Sequence, residues 1–133
     1  MKSFHASGKR KRAIARATLR PGVGKVRING CLLDNYNPRI SRMRLMEPLM
    51  LAGDIANTLN IEINVSGGGI SSQADASRLA IARAIVGYTK DKALEKLYLE
   101  YDRQLLVADV RRKETHKPNS HGKARAKVQK SYR

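Results

Sequence analysis

Apolar side chains recur at every second position from Ala13 to Leu19, which is the period of a β-strand with one buried face. The inward face would carry Ala13, Ala15, Ala17 and Leu19. The outward face would carry Arg12, Ile14, Arg16, Thr18 and Arg20. The pattern therefore predicts a strand with a small apolar side for a core and a cationic side opposite.

A Pro-Gly-Val-Gly turn sequence follows at residues 21–24, and alternation resumes at residues 25–28. We predict that these two segments form a β-hairpin. Its outward face would present Arg16, Arg20, Lys25 and Arg27. This face is either merely solvated or in contact with RNA, and we favour RNA because no acidic residue is interspersed among the cations.

The next apolar residues, Ile40, Met43, Met46 and Met50, recur at near-helical spacing that Pro48 interrupts. They predict a short helix whose methionines fill the core. Ile61, Ile63 and Val65 then alternate with polar residues and predict a third strand.

A glycine run, Gly67, Gly68 and Gly69, separates that strand from a predicted helix that ends near Tyr88. Ser71 or Ser72 would be the N-cap of this helix. Asp91 would cap a further helix, in which Leu94, Leu97, Tyr98 and Tyr101 form an apolar stripe for the core. The short apolar run at residues 105–108 predicts a fourth, buried strand.

Charge divides the 133-residue chain into a neutral middle and two cationic ends. The formal net charge is +16, and residues 28–110 hold nine basic and ten acidic side chains. Residues 1–27 hold nine basic and no acidic ones, and residues 111–133 hold nine basic and one acidic. We predict a globular domain at residues 1–110 with a basic N-terminal segment, and an extended basic tail at residues 111–133 that is disordered off the RNA.

Several classes of protein are disfavoured by what the sequence lacks. One cysteine, Cys31, excludes an internal disulfide framework, fits a reducing compartment, and is interpreted as a small buried hydrophobe. No apolar run approaches the roughly 18 residues of a membrane span, and no apolar secretory segment follows the N-terminus. A cytoplasmic location is expected.

Phosphate binding is the chemistry that the sequence favours. Glycines at residues 67–69 before a helix could cradle a phosphate, although a plain turn is the alternative and no nucleotide-binding P-loop follows. The cluster at residues 9–12 could bind RNA, act as a nuclear-localisation patch, or both. Of Arg78 and Arg83, at least one should be solvated or salt-bridged, because their spacing puts them on different sides of the helix.

The candidate RNA contacts are the cations of the ends and of the hairpin, together with the glycine run. They are Lys9, Arg10, Lys11, Arg12, Arg16, Arg20, Lys25, Arg27, Gly67, Gly68, Gly69, Arg111, Arg112, Lys113, Lys117, Lys123, Arg125 and Lys127. Aromatic residues make up only 5% of the chain, which favours recognition of RNA shape and phosphates over base stacking. If about ten cations contact phosphates, log affinity should fall with log salt at a slope of about −7 to −9.

No metal site, cofactor, small-molecule substrate or enzymatic activity is expected. The spacings of His5, His116, His121 and Cys31 match no zinc pattern, and no nucleophile–base motif is present. The alternatives to an RNA-bound structural protein are an architectural DNA binder, which would be a dimer rather than a monomer, and an RNA-processing enzyme, which would need catalytic residues.

Four blocks of the sequence resemble the family of the ninth small-subunit ribosomal protein. They are Gly8–Arg16, GGGISSQADASRLAIARA at residues 67–84, LLVADVRRKE at residues 105–114, and the basic ending ARAKVQKSYR. The blocks occur in order over nearly the whole chain, and the final Ser-Tyr-Arg resembles the archaeal or eukaryotic form.

The resemblance implies a two-layer α/β sandwich with a four-stranded mixed sheet, helices packed on it and a left-handed βαβ crossover. It also implies a structural role in the small ribosomal subunit, with rRNA and neighbouring small-subunit proteins as partners. The tail would reach the anticodon stem-loop of peptidyl-site tRNA, with Arg133 in contact and Lys130 close by.

Overall fold

A computed structural model describes residues 2–119 and 124–125 of the chain. Its five strands are β1 (Phe4–Arg10), β2 (Ala13–Pro21), β3 (Val26–Ile28), β4 (Cys31–Leu32) and β5 (Leu59–Ser66). Its helices are α1 (Arg39–Ala52), α2 (Asp54–Asn57), α3 (Ile70–Thr89) and α4 (Lys92–Tyr101), with 3-10 turns at Leu33–Asn35 and Arg103–Leu105. The fold is therefore α/β, as the sequence predicts.

The five strands form one mixed sheet in the order β1-β2-β5-β3-β4. Strand β3 runs parallel to β5, and the other neighbours are antiparallel. The predicted alternation of β2 is confirmed, because Ala13, Ala15, Ala17 and Leu19 are all buried. Helix α3 packs against this buried face, and the opposite face of the sheet is open.

The predicted count of four strands is wrong. Strands β1 and β4 were not anticipated, and the apolar run at residues 105–108 is not a strand. Its first residue, Leu105, ends a 3-10 turn and is fully buried. Asp102 starts that turn by accepting hydrogen bonds from the amides of Gln104 (3.0 Å) and, through its carbonyl, Leu105 (3.1 Å). The run is thus buried by packing rather than by sheet pairing.

The predicted hairpin between residues 12–20 and 25–28 is also wrong, because β5 lies between β2 and β3. All of β5 pairs with β2, from Ser66 opposite Ile14 to Leu59 opposite Pro21. The turn at residues 21–24 is held by the side chain of Asn60 on β5. Its Oδ1 accepts hydrogen bonds from the amides of Val23 (3.0 Å) and Lys25 (3.1 Å). Chain segments distant in sequence thus replace the local pairing. The handedness of the β3-to-β5 crossover, which carries α1 and α2, stays a prediction.

Helix α1 buries a different face from the one predicted. Pro48 lies inside the helix without ending it, and the buried side consists of Ser41, Leu45, Pro48 and Ala52. The apolar residues expected in the core are exposed instead: Ile40 (70%), Met43 (55%), Met46 (36%) and Met50 (74%). Smaller side chains on the buried face allow α1 to pack closely on α3.

Predictions for the remaining helices are confirmed in part. Helix α3 spans the predicted segment, but its N-cap is Gly69 rather than Ser71 or Ser72, with no side-chain cap bond. Asp91 does cap α4, because its Oδ1 accepts from the amide of Ala93 at 2.9 Å. Only half of the α4 stripe is in the core, with Leu94 and Tyr98 buried and Leu97 and Tyr101 exposed.

Cys31 is exposed on the edge strand β4, so its interpretation as a buried hydrophobe is wrong. A two-residue edge strand has one side open to solvent, and an apolar sequence neighbourhood does not reveal this. Among the described residues, no helix combines the length and apolar character needed to cross a membrane.

Candidate nucleic-acid interface

Three segments that are distant in sequence meet around a cleft of about 1050 Å³. They are the end of β1 and its turn, the glycine loop before α3, and residues 111–116 after the globular body. Six of the lining residues are cations: Lys9, Lys11, Arg12, Arg111, Arg112 and Lys113. Glu114 is the only carboxylate among the residues that line it. Eight of the predicted RNA contacts, these six cations with Gly68 and Gly69, thus meet at one place.

Two of the three glycines are required where the loop crosses the β1–β2 turn. Gly67 and Gly68 have φ values of +79° and +65°, a region that favours glycine. A Cβ on Gly67 would collide with the carbonyl oxygen of Arg12, and one on Gly68 would lie 3.1 Å from the amide nitrogen of Ala13. A Cβ on Gly69 would meet nothing within 4 Å. The loop therefore lies directly against the turn that carries Lys11 and Arg12.

Helix α3 begins at this cleft. The Nε2 of Gln73 donates to the carbonyl of Gly67 at 3.1 Å and so ties the helix to the loop. The amides of the first turn have no acceptor within the helix, and the N-cap provides no side-chain acceptor. Ser72, from the same turn, lines the cleft. The helix start adds partial positive charge to a surface that is already cationic.

Asp109 anchors the root of the tail at the side of the cleft. Its carboxylate lies 2.7 Å from Nη2 of Arg111 and 3.4 Å from Nη2 of Arg10 on β1. Hydrogen bonds from the side chain and the amide of Arg111, together with the charge of Arg10, hold the pKa of Asp109 far below its usual range. Arg10 and Arg111, both predicted RNA contacts, are thus partly neutralised by this carboxylate.

Arg83 binds the same region from helix α3. Its Nε donates to the carbonyl of Leu106 and its Nη1 to the carbonyl of Ser7, both at 3.0 Å. Arg78, one turn earlier, forms ion pairs with Glu47 and with Asp102. The prediction that at least one of the two arginines is paired is confirmed, and both serve the packing of the body.

The outward cations of the predicted hairpin are exposed on the open face of the sheet. Arg16 and Arg20 lie on β2, Arg27 on β3 and Lys25 just before it. Because β5 separates these strands, it adds Asn60, Glu62 and Asn64 between them. Glu62 lies opposite both Thr18 and Arg27. It therefore places a carboxylate among these cations, although residues 12–28 themselves contain no acidic side chain.

Residues 111–117, the first part of the tail, form no helix or strand and are exposed. Arg125 forms an ion pair with Glu114, and its hydrogen bond lowers the pKa of that carboxyl. The predicted contacts Lys123, Lys127, Lys130 and Arg133 lie outside the described residues. Within the described ranges, no three His, Cys, Asp or Glu side chains come together as metal ligands.

Sequence reasoning missed three features of this surface: strand β1, Asp109 as an anchor, and Glu62 on the open face. Strand β1 had a detectable pattern, because Phe4, Ala6 and Gly8 alternate with polar residues. The other two depend on which segments meet in space, and no local pattern reports this.

Comparison with known proteins agrees with the resemblance drawn from the sequence. The family model described as ribosomal protein S9/S16 matches residues 8–133. The chain is 51% identical to the small ribosomal subunit protein uS9 of Methanococcus maripaludis and 49% identical to that of Methanothrix thermoacetophila, both archaeal, over the full length of each. The chain therefore belongs to the ribosomal protein S9/S16 family and is a structural protein of the small ribosomal subunit, located with the ribosome in the cytoplasm.

Proposed function

We propose that this protein holds folded small-subunit rRNA through the cationic cleft, with the open face of the sheet as a second contact surface. The observation that carries the proposal is the convergence of Lys9, Lys11, Arg12, Arg112 and Lys113 on the glycine loop. Within the described residues, none of these five side chains forms an ion pair with a carboxylate. Their charge is therefore available to an external polyanion.

Phosphate is the chemical group that the cleft suits. Lysine and arginine side chains bind phosphates by charge, and the start of α3 adds amide donors and a favourable dipole. Among the described residues that line the cleft there is no Phe, Tyr or Trp, and His116 is the one ring side chain that could stack on a base. The arrangement supports recognition of RNA backbone and shape rather than base sequence.

The open face offers a flatter surface of the same chemistry. Arg16 and Arg20 project beside the amide side chains of Asn60 and Asn64, which can bond to phosphate or 2′-hydroxyl oxygens. Glu62 disfavours phosphate close to Arg27. We therefore expect RNA to contact the β1–β2 side of this face more closely than the β3 side.

We further propose that the tail extends from the cleft toward peptidyl-site tRNA, with Arg133 and Lys130 as the contacts. The anchor at Asp109 fixes where the tail leaves the body. The 23 residues after Val110 could span roughly 75 Å if extended at about 3.3 Å each. This length supports a contact far from the rRNA surface that holds the body.

The cleft is tested by replacing Lys9, Lys11 and Arg12 with alanine and measuring binding to deproteinised small-subunit rRNA over a range of salt concentrations. Loss of three phosphate contacts should make the slope of log affinity against log salt shallower by about 2 to 3. The matched control replaces Lys92, Lys96 and Arg103, three exposed cations around α4. An equal change in both variants would contradict a specific role for the cleft.

A further inference from the structure

Helix α1 exposes an apolar stripe that nothing in the described part of the chain covers. Ile40, Met43, Met46 and Met50 lie within about one third of the helix circumference, at 100° per residue. Their exposed fractions range from 36% to 74%. A contiguous apolar patch of this kind on a soluble protein marks an interaction surface.

The C-terminal end of this stripe opens into a groove of about 630 Å³. Met46, Leu49 and Met50 form one wall, and Leu32 and Leu33 of the β4 region form the other. Helix α2 and the loop before β3 close the ends. The groove is thus an apolar slot on the side of the sheet opposite β1.

The charges at the rim of the groove differ from those of the rest of the molecule. Asp34 and Asp54 are exposed there, and neither forms an ion pair among the described residues. Lys25 is the only cation among the described residues of the lining, and Arg42 lies beside it, with its Nη1 donating to the main-chain carbonyl of Asp34 at 2.6 Å. The charged residues of the lining, Asp34, Asp54 and Lys25, thus sum to −1 in a chain whose net charge is +16, and the rest of the lining is mostly apolar. Two carboxylates against one lining cation disfavour a close phosphate, and the apolar walls offer RNA no row of hydrogen-bond donors, so the groove fits a protein segment better than RNA.

We propose that this groove binds an apolar segment of a neighbouring small-subunit protein, with Lys or Arg side chains flanking the segment. The apolar residues would fill the slot between Met50 and Leu32, and the flanking cations would meet Asp34 and Asp54. Methionine suits such a wall, because its flexible thioether adapts to the shape of a partner. The inference rests on membership of the small subunit and not on the cationic cleft, so either can fail without the other.

Photo-crosslinking in purified small subunits tests the occupant directly. A photoreactive amino acid replaces Met50 in the groove, and the control replaces Leu99, an apolar residue of α4 that is 43% exposed. We expect position 50 to crosslink to one ribosomal protein, at a peptide with apolar residues next to Lys or Arg. A crosslink to rRNA, to the tail of this chain or to a second copy, or no crosslink at all, would overturn the proposal.

A substitution tests whether the contact contributes to assembly. Met50→Glu places a third carboxylate in the groove, and Leu99→Glu is the control. Loss of an interface anchor should lower the occupancy of the crosslinked protein in subunits about tenfold under limiting conditions. Salt-dependent rRNA binding and the thermal midpoint of the isolated chain should not change. Unchanged occupancy of that protein in Met50→Glu subunits would contradict the proposal.

Discussion

A single glycine sets the distance between the edge strand β1 and helix α3. Gly8 is buried, and a Cβ at this position would collide with the carbonyl oxygen of Ala76 and lie 2.8 Å from the amide nitrogen of Ala80. The alanines keep this face of α3 thin enough for the strand to approach. The basic N-terminal segment is therefore held as a strand against the body, and Lys9 is held in a defined place at the cleft.

We expect Gly8→Ala to destabilise the folded chain by about 2 kcal/mol or more, because the colliding atoms belong to the helix backbone and cannot turn away. Chemical denaturation of the isolated chain measures this. Gly69→Ala is the control, since a Cβ there meets nothing within 4 Å, and its loss of a good N-cap should cost less than about 1 kcal/mol. Equal stability losses would show that strand and helix can move apart at little cost.

The sequence predicted which residues are buried only in elements where a single face fits the apolar pattern. In β2, nine residues of alternation leave a single choice of inward face, and Ala13 to Leu19 lie as predicted. In α1, the stripe that contains Met50 and the stripe that contains Leu45 both fit a helical period. Hydrophobicity favours the methionine stripe, whereas close packing on α3 favours the smaller side chains. The sequence alone does not decide between them.

At the scale of elements, the root of the tail is fixed by contacts from two other elements. Arg10 on β1 binds Asp109, and Arg83 on α3 binds the carbonyl of Leu106. The pKa of Asp109 is lowered, so its stabilising effect is complete above the usual carboxyl pKa of about 4 and is lost only as pH falls through the lower value in the folded chain. The anchor should therefore hold at every pH at which ribosomes work.

We expect Asp109→Ala to release the root of the tail, because both the amide and the guanidinium of Arg111 lose their acceptor. Hydrogen exchange of the Arg111 amide should become several-fold faster, after correction for intrinsic rates, and the increase should persist from pH 5 to pH 8. Glu95→Ala removes an exposed carboxylate that has no described ion pair and should leave this amide unchanged. Slow exchange in Asp109→Ala would mean that other contacts hold the root.

The pairing of elements was the part of the fold that the sequence could not supply. Neighbouring strands in sequence usually pair, so the turn at residues 21–24 favoured a hairpin between β2 and β3. Strand β5, which follows helices α1 and α2 in the sequence, instead lies between β2 and β3 in the sheet. Its own alternation shows that it is a strand but contains no information about its neighbours. The same limit explains why Glu62 was not expected beside Arg27.

At the scale of the whole molecule, the cations of the two ends converge at one place. Residues 9–12 and 111–113 are about one hundred positions apart, and both lie at the glycine loop. The sequence showed that each end is cationic and that the loop suits phosphate. It could not show that they share one cleft, because this follows from the packing of β1 on α3 and from the anchor at Asp109.

We expect deletion of residues 130–133 to leave folding and incorporation into small subunits intact and to weaken binding of tRNA at the peptidyl site. The deleted segment carries both cations assigned to tRNA, Lys130 and Arg133, and none of the residues of the body. Sucrose-gradient sedimentation measures incorporation, and filter binding of tRNA to the isolated subunits measures the contact. An equal loss of incorporation would show that these residues serve assembly instead.

The salt dependence of rRNA binding by the full-length protein tests the central claim most directly, because it counts the phosphates that the cationic surface engages. Binding to deproteinised small-subunit rRNA is measured at several monovalent salt concentrations. If about ten cations contact phosphates, the slope of log affinity against log salt should lie between about −7 and −9. A slope shallower than about −2 would contradict the claim that the cationic cleft and the open face hold RNA through its phosphates.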